Sequence, residues 1–178
     1  FTFLVNNGSS NSSPATISIG IWQGQPLDFN WATAVSGSCN IGTNWTGGIA
    51  PDAAGQPSYR LNLTPSGTYT ATQDLNTGFV FNQFNFSGVV TISGTNSLAP
   101  AGNGPLLPQI NQNSGNAVTI SVPVNLTTTT TVGGTGAGLL TLTGLISGPG
   151  GLIKDGLGGL RVHGYDVTAH TAAPNTFS

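Results

Sequence analysis

Hydrophobic and polar residues alternate with a period of two along much of the chain. The clearest stretches are residues 17–21, 61–63, 118–126 and 140–142. This alternation predicts strands with one buried and one exposed face. Residues that favour helices are scarce, since the chain has no Glu or Met and a single lysine, Lys154. We therefore predict an all-β protein.

Two stretches of the pattern carry further information. Residues 118–126 form the longest alternating run, and we predict one strand there, with Pro123 marking a strand edge or a bend because proline cannot donate a ladder hydrogen bond. The pattern of Phe79, Phe81, Phe84 and Phe86 shifts by one residue in the middle, as it would at a β-bulge.

Glycine-rich turns separate these stretches and favour a β-solenoid, with a β-sandwich as the alternative. Glycines cluster where the chain of a solenoid would turn a corner, for instance at residues 133–136, 148–151 and 156–159. The threonine run at 127–131 must place Thr on both faces of a strand. Asn and Thr can also stack on like residues in neighbouring coils. Short strands separated by turns are equally typical of a sandwich.

Residues 144–164 carry a specific motif. The segment resembles the autotransporter-associated β-strand repeat, whose pattern is G-x-G-x-L-x-K-x-G-x-G-x-L-x-L-x-G. The matching positions are Gly148, Gly150, Leu152, Lys154, Gly156, Gly158, Leu160 and Gly164, with Val162 in place of a leucine. We expect Leu152, Leu160 and Val162 to face a core, with the glycines at the corner between two strands. The resemblance implies a right-handed parallel β-helix that is exported to the cell surface and is not catalytic.

The resemblance extends to both sides of the motif. Asn175, Thr176 and Phe177 match the usual continuation, after an insertion at residues 165–174 that we interpret as a loop. Upstream, the segment containing Trp22, Trp31 and Trp45 is similar to the region that often precedes such repeats. We predict an N-terminal strand and irregular Trp-containing cap at 1–58, and solenoid coils at 59–178.

Charge is unusually low and excludes several classes of function. Charged residues make up 4% of the chain and the net charge is −2, so a nucleic-acid interface is not expected. No apolar run is long enough for a membrane span. Cys39 is the only cysteine, which we interpret as a buried or half-buried thiol, with a disulfide to another chain as the alternative. We expect a mature, secreted or cell-surface protein.

Residues with catalytic potential are few and scattered. The five aspartates are spread along the chain and read as turn and cap residues, while His163 and His170 lack further ligands at metal-site spacing. We predict no enzyme activity, no metal and no cofactor.

Two functions are compatible with the sequence. In the first, the protein is structural and self-associates into a surface fibre or layer, with Phe1, Phe3 and Val5 on a strand that pairs with a neighbouring copy. In the second, it is an adhesin segment that binds glycans or a host surface through Trp22, Trp31 and Trp45 and through the loop at 165–174. The alternative role for these tryptophans is packing in the cap.

Overall fold

The computed structural model describes residues 2–3, 8–10, 15–16, 24–163, 165–166 and 171–172. Within them the chain forms short strands and one 3-10 helix, Gly42–Asn44, and no α-helix. The first four strands are β1 (Thr2–Phe3), β2 (Ala15–Thr16), β3 (Leu27–Asn30) and β4 (Gly37–Ser38). The next six are β5 (Tyr59–Leu63), β6 (Thr68–Thr72), β7 (Phe79–Phe81), β8 (Gln83–Phe86), β9 (Val89–Ser93) and β10 (Leu98–Pro100). Then follow β11 (Gln109–Gln112), β12 (Val118–Ile120), β13 (Val124–Asn125), β14 (Thr130–Gly133), β15 (Leu140–Leu142) and β16 (Ile146–Ser147). The last are β17 (Leu152–Lys154), β18 (Leu160–Val162), β19 (Tyr165–Asp166) and β20 (Thr171–Ala172).

Most of these strands stack into three parallel sheets. The first sheet has the order β17-β14-β11-β8-β5-β3, the second β18-β15-β12-β9-β6-β4 and the third β16-β13-β10-β7. Consecutive strands lie in different sheets, so each circuit of the chain adds one strand to each sheet. In the described residues, four complete circuits lie between two partial ones. The predicted β-solenoid is therefore confirmed over the sandwich alternative.

Side chains that face the interior stack in columns. Leu61, Phe84, Ile110 and Val132 occupy equivalent positions in successive circuits of the first sheet, and all are buried. Their neighbours in sequence face outward, which is the origin of the period-two pattern. Removal of these columns from water is the main source of cohesion in a chain with so few ions.

The run at 118–126 is two strands on two sheets, which corrects the prediction of one strand. β12 ends at Ile120, β13 begins at Val124, and the chain turns a corner between them. Side chains continue to alternate between the interior and the solvent around the corner of a solenoid. Val122, at the corner, is therefore also buried. Pro123 lies at this corner, as the predicted bend requires.

The phase shift among the phenylalanines is also a corner, and the predicted bulge is wrong. Asn82 separates β7 in the third sheet from β8 in the first. It is buried, and its Nδ2 donates to the carbonyl oxygens of Ala101 (2.9 Å) and Leu106 (3.2 Å). A buried amide here satisfies backbone groups of the next circuit at the point where the wall changes direction.

Glycine allows consecutive circuits to approach closely at another corner. At Gly144, between β15 and β16, an added Cβ would lie 2.0 Å from the carbonyl oxygen of Val122. No side chain fits there, so the corner sequences require Gly for contact between backbones rather than for flexibility.

Two further strand pairs are separate from the three sheets. β1 pairs with β2 and β19 with β20, both antiparallel. The β19–β20 pair falls within the predicted insertion at 165–174. The predicted alternation at 17–21 lies outside the described residues. No helix in the described part of the chain is long and apolar enough to cross a membrane.

Candidate functional site

The repeat motif forms the last partial circuit. Leu152 of β17 is aligned with Thr130, and in β18 Leu160 and Val162 are aligned with Leu140 and Leu142. Leu152 and Leu160 pack against the core, whereas Val162 continues the column of Leu142 but is exposed. Lys154 is aligned with the buried Val132 and is itself exposed. We call β17, β18 and the corner between them the terminal rung.

The interior side of the terminal rung is less covered than the circuit below it. Leu140 and Leu142 are each 1% exposed, whereas Val162 is 38% exposed and Leu152 and Leu160 are half-buried. Ile153 (49%) and Leu157 (81%) add exposed apolar surface. In the described residues no strand pairs with the far edge of β17 or β18. The terminal rung therefore combines open backbone groups with apolar side chains.

The polar and glycine positions of the motif shape the corner of the terminal rung. Gly156 has a φ of +69°, a conformation that favours glycine. Lys154 donates from Nζ to the carbonyl oxygens of Asp155 and Gly156, the latter at 3.0 Å. The Lys154 side chain therefore stabilises the backbone of this corner. Gly164 lies outside the described residues.

Trp31 and Trp45 form the core of the N-terminal cap. They are 3% and 2% exposed, and their rings meet edge to face at a centroid distance of 5.0 Å. Nε1 of Trp45 donates to the carbonyl oxygen of Cys39 at 2.8 Å, and Nε1 of Trp31 to that of Val35 at 3.2 Å. Neither indole has a free face for stacking on a sugar, so their placement favours packing over the glycan contact. Trp22 lies outside the described residues.

The cap also covers part of the free edge of the first sheet. Residues 44–46 run antiparallel to the end of β3, with hydrogen bonds from Ala32 N to Asn44 O (2.9 Å) and from Thr46 N to Asn30 O (2.8 Å). These bonds use backbone groups that an added strand would need. The two ends of the first sheet therefore differ: the β3 edge is partly covered, and the β17 edge has no described partner.

The strand predicted for self-association is already paired within the chain. Thr2 and Phe3 of β1 are aligned with Thr16 and Ala15 of β2. A two-residue strand has a second edge, so this pairing leaves a further strand contact possible. Phe1 and Val5 lie outside the described residues.

A column of asparagines runs along the outside of the first sheet, and the sequence did not reveal it as a unit. Asn30, Asn62, Asn85 and Asn111 are aligned in successive circuits. Each Nδ2 donates to the Oδ1 of the preceding circuit, at 2.9, 2.7 and 2.9 Å from Asn62 to Asn111. The sequence analysis predicted that Asn would stack on like residues in neighbouring coils. Which asparagines stack depends on the register between strands of successive circuits.

An ion pair lies beside the first turn of the asparagine column. Nη2 of Arg60 donates to Oδ2 of Asp28 at 2.7 Å, and Nδ2 of Asn62 donates to Oδ1 of the same carboxylate at 2.9 Å. The hydrogen bond from Arg60 is the main reason that the pKa of Asp28 is lowered. These groups line a shallow polar groove with Thr64, Gln83 and Asn113. Because the amides are engaged with one another, we interpret the groove as structural.

Asp52, Asp74, Asp155 and the thiol of Cys39 have structural environments. Asp52 accepts a hydrogen bond from Tyr59 Oη at 2.9 Å, and Asp155 accepts one from the backbone N of Gly156 at 2.7 Å. Asp74 accepts from Ser38 and from the backbone N of Asn40. Cys39 is buried, and burial raises its pKa to about 12. No group of three or more potential metal ligands occurs within the described part of the chain.

Comparisons with models of known protein families, with curated proteins and with solved structures gave no match.

Proposed function

We propose that the chain is an extracellular structural module that self-associates through its terminal rung. The observation that carries the proposal is the difference in exposure between equivalent interior positions, 1% at Leu142 against 38% at Val162. Within the described residues, this edge has unpaired ladder groups and exposed apolar side chains, and a second copy can supply partners for both.

The geometry of the two ends favours a contact between like ends. Residues 44–46 cover part of the β3 edge, so addition of β3 of one copy to β17 of another meets an obstacle. A two-fold axis instead places the β17 edges of two copies side by side, antiparallel. Growth of this dimer into a fibre or layer needs a second contact, for which the strand containing Phe1, Phe3 and Val5 remains our candidate.

Charged substitutions at the two ends test the contact. The variant Ile153→Lys/Leu157→Lys places two charges beside the terminal rung at positions that are 49% and 81% exposed. The matched control, Val35→Lys/Ile49→Lys, places the same charges at positions near the cap that are 64% and 71% exposed. Sedimentation velocity over a concentration series measures the dissociation constant of the dimer. We expect it to rise more than tenfold in the first variant only, because like charges repel across an apolar contact.

Two results would overturn the proposal. One is a wild-type chain that stays monomeric at the highest concentration reached. The other is an equal effect of the two double variants, which would place the contact elsewhere. Circular dichroism of each variant establishes that the β structure is retained.

The glycan-binding alternative has less support. It depended on tryptophans with free ring faces, and Trp31 and Trp45 are buried. The polar groove beside Asp28 contains amides that already bond one another, and its lining includes no aromatic residue. We therefore retain the structural proposal alone.

A further inference from the structure

Hydroxyl groups form a regular array on the outside of the second sheet. Thr70, Thr91, Thr119 and Thr141 are aligned in four successive circuits, without a shift in register. All four are half-buried and face away from the interior, since their neighbours in each strand are core residues. We call this the threonine column.

A second hydroxyl column runs beside the first. Ser38, Thr72 and Ser93 are aligned in register. Ser121 and Thr143 follow β12 and β15 directly, and their backbone N atoms continue the same ladder by donating to Ile92 O (2.8 Å) and Ile120 O (2.9 Å). Four circuits therefore each present two hydroxyls separated by one core residue. We call the two columns together the hydroxyl array.

The threonine column is free to bind a partner and is rigid. None of its four hydroxyls makes a hydrogen bond to another described residue, so each has a donor and acceptor sites available. Threonine is branched at Cβ and has a restricted χ1, and the neighbouring circuits hold each side chain from both sides. Little conformational entropy is therefore lost when these groups bind.

The spacing of the array has two fixed repeats. Adjacent strands lie about 4.8 Å apart, and alternate residues of one strand about 6.6 Å apart. Charged side chains lie at both ends of the array: Asp74 accepts a hydrogen bond from Ser38, and Arg161 occupies the position after Thr141 in the threonine column. Between these two ends the array has no charged residue. Between its two ends the array offers no complement to a partner with charged groups, or to one that inserts a side chain into a cavity. A partner whose own surface repeats in two dimensions can match the spacing of the array.

We propose that the hydroxyl array binds ice. Hexagonal ice likewise presents rows of oxygen atoms that repeat in two directions, and the distance between rows is comparable to the repeat of the array between strands. Threonine offers a hydroxyl that bonds lattice water and a methyl group beside which water is already ordered. The absence of charge matters because a strongly hydrated ion would hold its own water shell and disturb the lattice.

Matched tyrosine substitutions test this role. Thr119→Tyr introduces a large ring in the middle of the array. Thr131→Tyr is the control, because Thr131 is also half-buried and outward-facing but belongs to the first sheet, in the column of Gln109. Tyrosine is favoured in strands, so both variants are expected to fold, which circular dichroism verifies. The readouts are thermal hysteresis and the fraction of protein taken up into a slowly grown ice hemisphere.

The wild-type chain is expected to show thermal hysteresis and to be enriched in ice. Thr119→Tyr should lose at least nine-tenths of the hysteresis, and Thr131→Tyr should retain it. The proposal fails if the wild-type chain is excluded from ice as an inert protein is, or if the two variants lose activity equally. It also fails if Thr119→Tyr changes the oligomeric state measured by sedimentation but leaves the thermal hysteresis unchanged, because the array is then a contact between copies. The test of the terminal rung substitutes other residues, but Thr131 is aligned with Ile153 of that rung. Sedimentation of Thr131→Tyr therefore establishes that the control does not change the oligomeric state.

Discussion

Individual glycines determine how closely successive circuits approach. At Gly144 an added Cβ would lie 2.0 Å from the oxygen and 2.3 Å from the carbon of the Val122 carbonyl. These are backbone atoms of the adjacent circuit, so they cannot move aside as the end of a flexible side chain can. At Gly115, by contrast, nothing lies within 4 Å of the same added atom.

Alanine at these two glycines should therefore have opposite effects. We expect Gly144→Ala to lower the free energy of unfolding by about 2 kcal/mol or more, because the corner must open to admit the methyl group. Gly115→Ala should be neutral or raise it by up to about 1 kcal/mol, through the reduced entropy of the unfolded chain. Urea unfolding followed by circular dichroism measures both. Equal effects would show that the contact at Gly144 does not limit the packing.

At the scale of the element, the asparagine column shows how in-register strands use polar side chains. Asn62, Asn85 and Asn111 each donate toward the N-terminal end of the column, where Asn30 accepts. Such aligned hydrogen bonds strengthen one another. The column stops because the next aligned position is Gly133.

The variant Gly133→Asn should extend the column by one circuit. A Cβ at this position meets Asp155 at ordinary contact distances of 3.4 to 3.6 Å, so a side chain fits. Its amide should donate to Oδ1 of Asn111 and raise the free energy of unfolding by about 0.5–1.5 kcal/mol relative to Gly133→Ala. The alanine variant is the control because it includes the loss of glycine entropy without the hydrogen bond. If both variants have the same midpoint in urea, the ladder makes no net contribution to stability.

At the scale of the whole molecule, stability depends on backbone ladders and apolar columns more than on ions. The chain has five acidic residues, three Lys or Arg and two His. Among the described residues, the recorded ion pair joins Arg60 and Asp28, and both side chains are more than one-third exposed. An exposed pair of this kind contributes little, and salt screens it.

The dependence of stability on pH should accordingly be flat across the middle range and fall at both ends. The lowered pKa of Asp28 makes its contribution complete above its unfolded pKa of 3.8, and the contribution is lost as the pH falls below that value. Burial raises the pKa of Cys39 from 9.0 to about 12 and also raises that of Tyr69. Both stay neutral in the fold while the unfolded chain ionises, so stability should decrease as the pH rises above 9.

Urea midpoints measured from pH 3 to pH 11 test this profile, with about pH 5 to 8.5 as the range of little change. The variant Cys39→Ala should reduce the slope above pH 9 while leaving the acid side as it is. The comparison uses slopes rather than absolute midpoints, since the shorter side chain also changes packing. An unchanged alkaline slope would mean that Cys39 is accessible to solvent.

The sequence alone determined the all-β class and most interior positions, and it favoured the solenoid over the sandwich. Alternation at 61–63 and 140–142 identified buried side chains because a strand turns successive residues to opposite faces, which is a local property. The glycines of the motif likewise located the corner at Gly156, since a positive φ selects glycine locally.

The tertiary structure decided which strands are neighbours and which surfaces result. Asp28, Arg60, Gln83, Gln109, Thr131 and Ile153 are aligned, so successive circuits take 32, 23, 26, 22 and 22 residues. With unequal steps, no fixed repeat in the sequence reveals the asparagine column or the hydroxyl array. The corners at Asn82 and after Ile120 were misread for a related reason: alternation continues around a corner, so it records inside and outside but not a change of sheet. Burial of Trp31 and Trp45 was likewise decided by the packing of the cap, because the same rings suit a core or a binding surface.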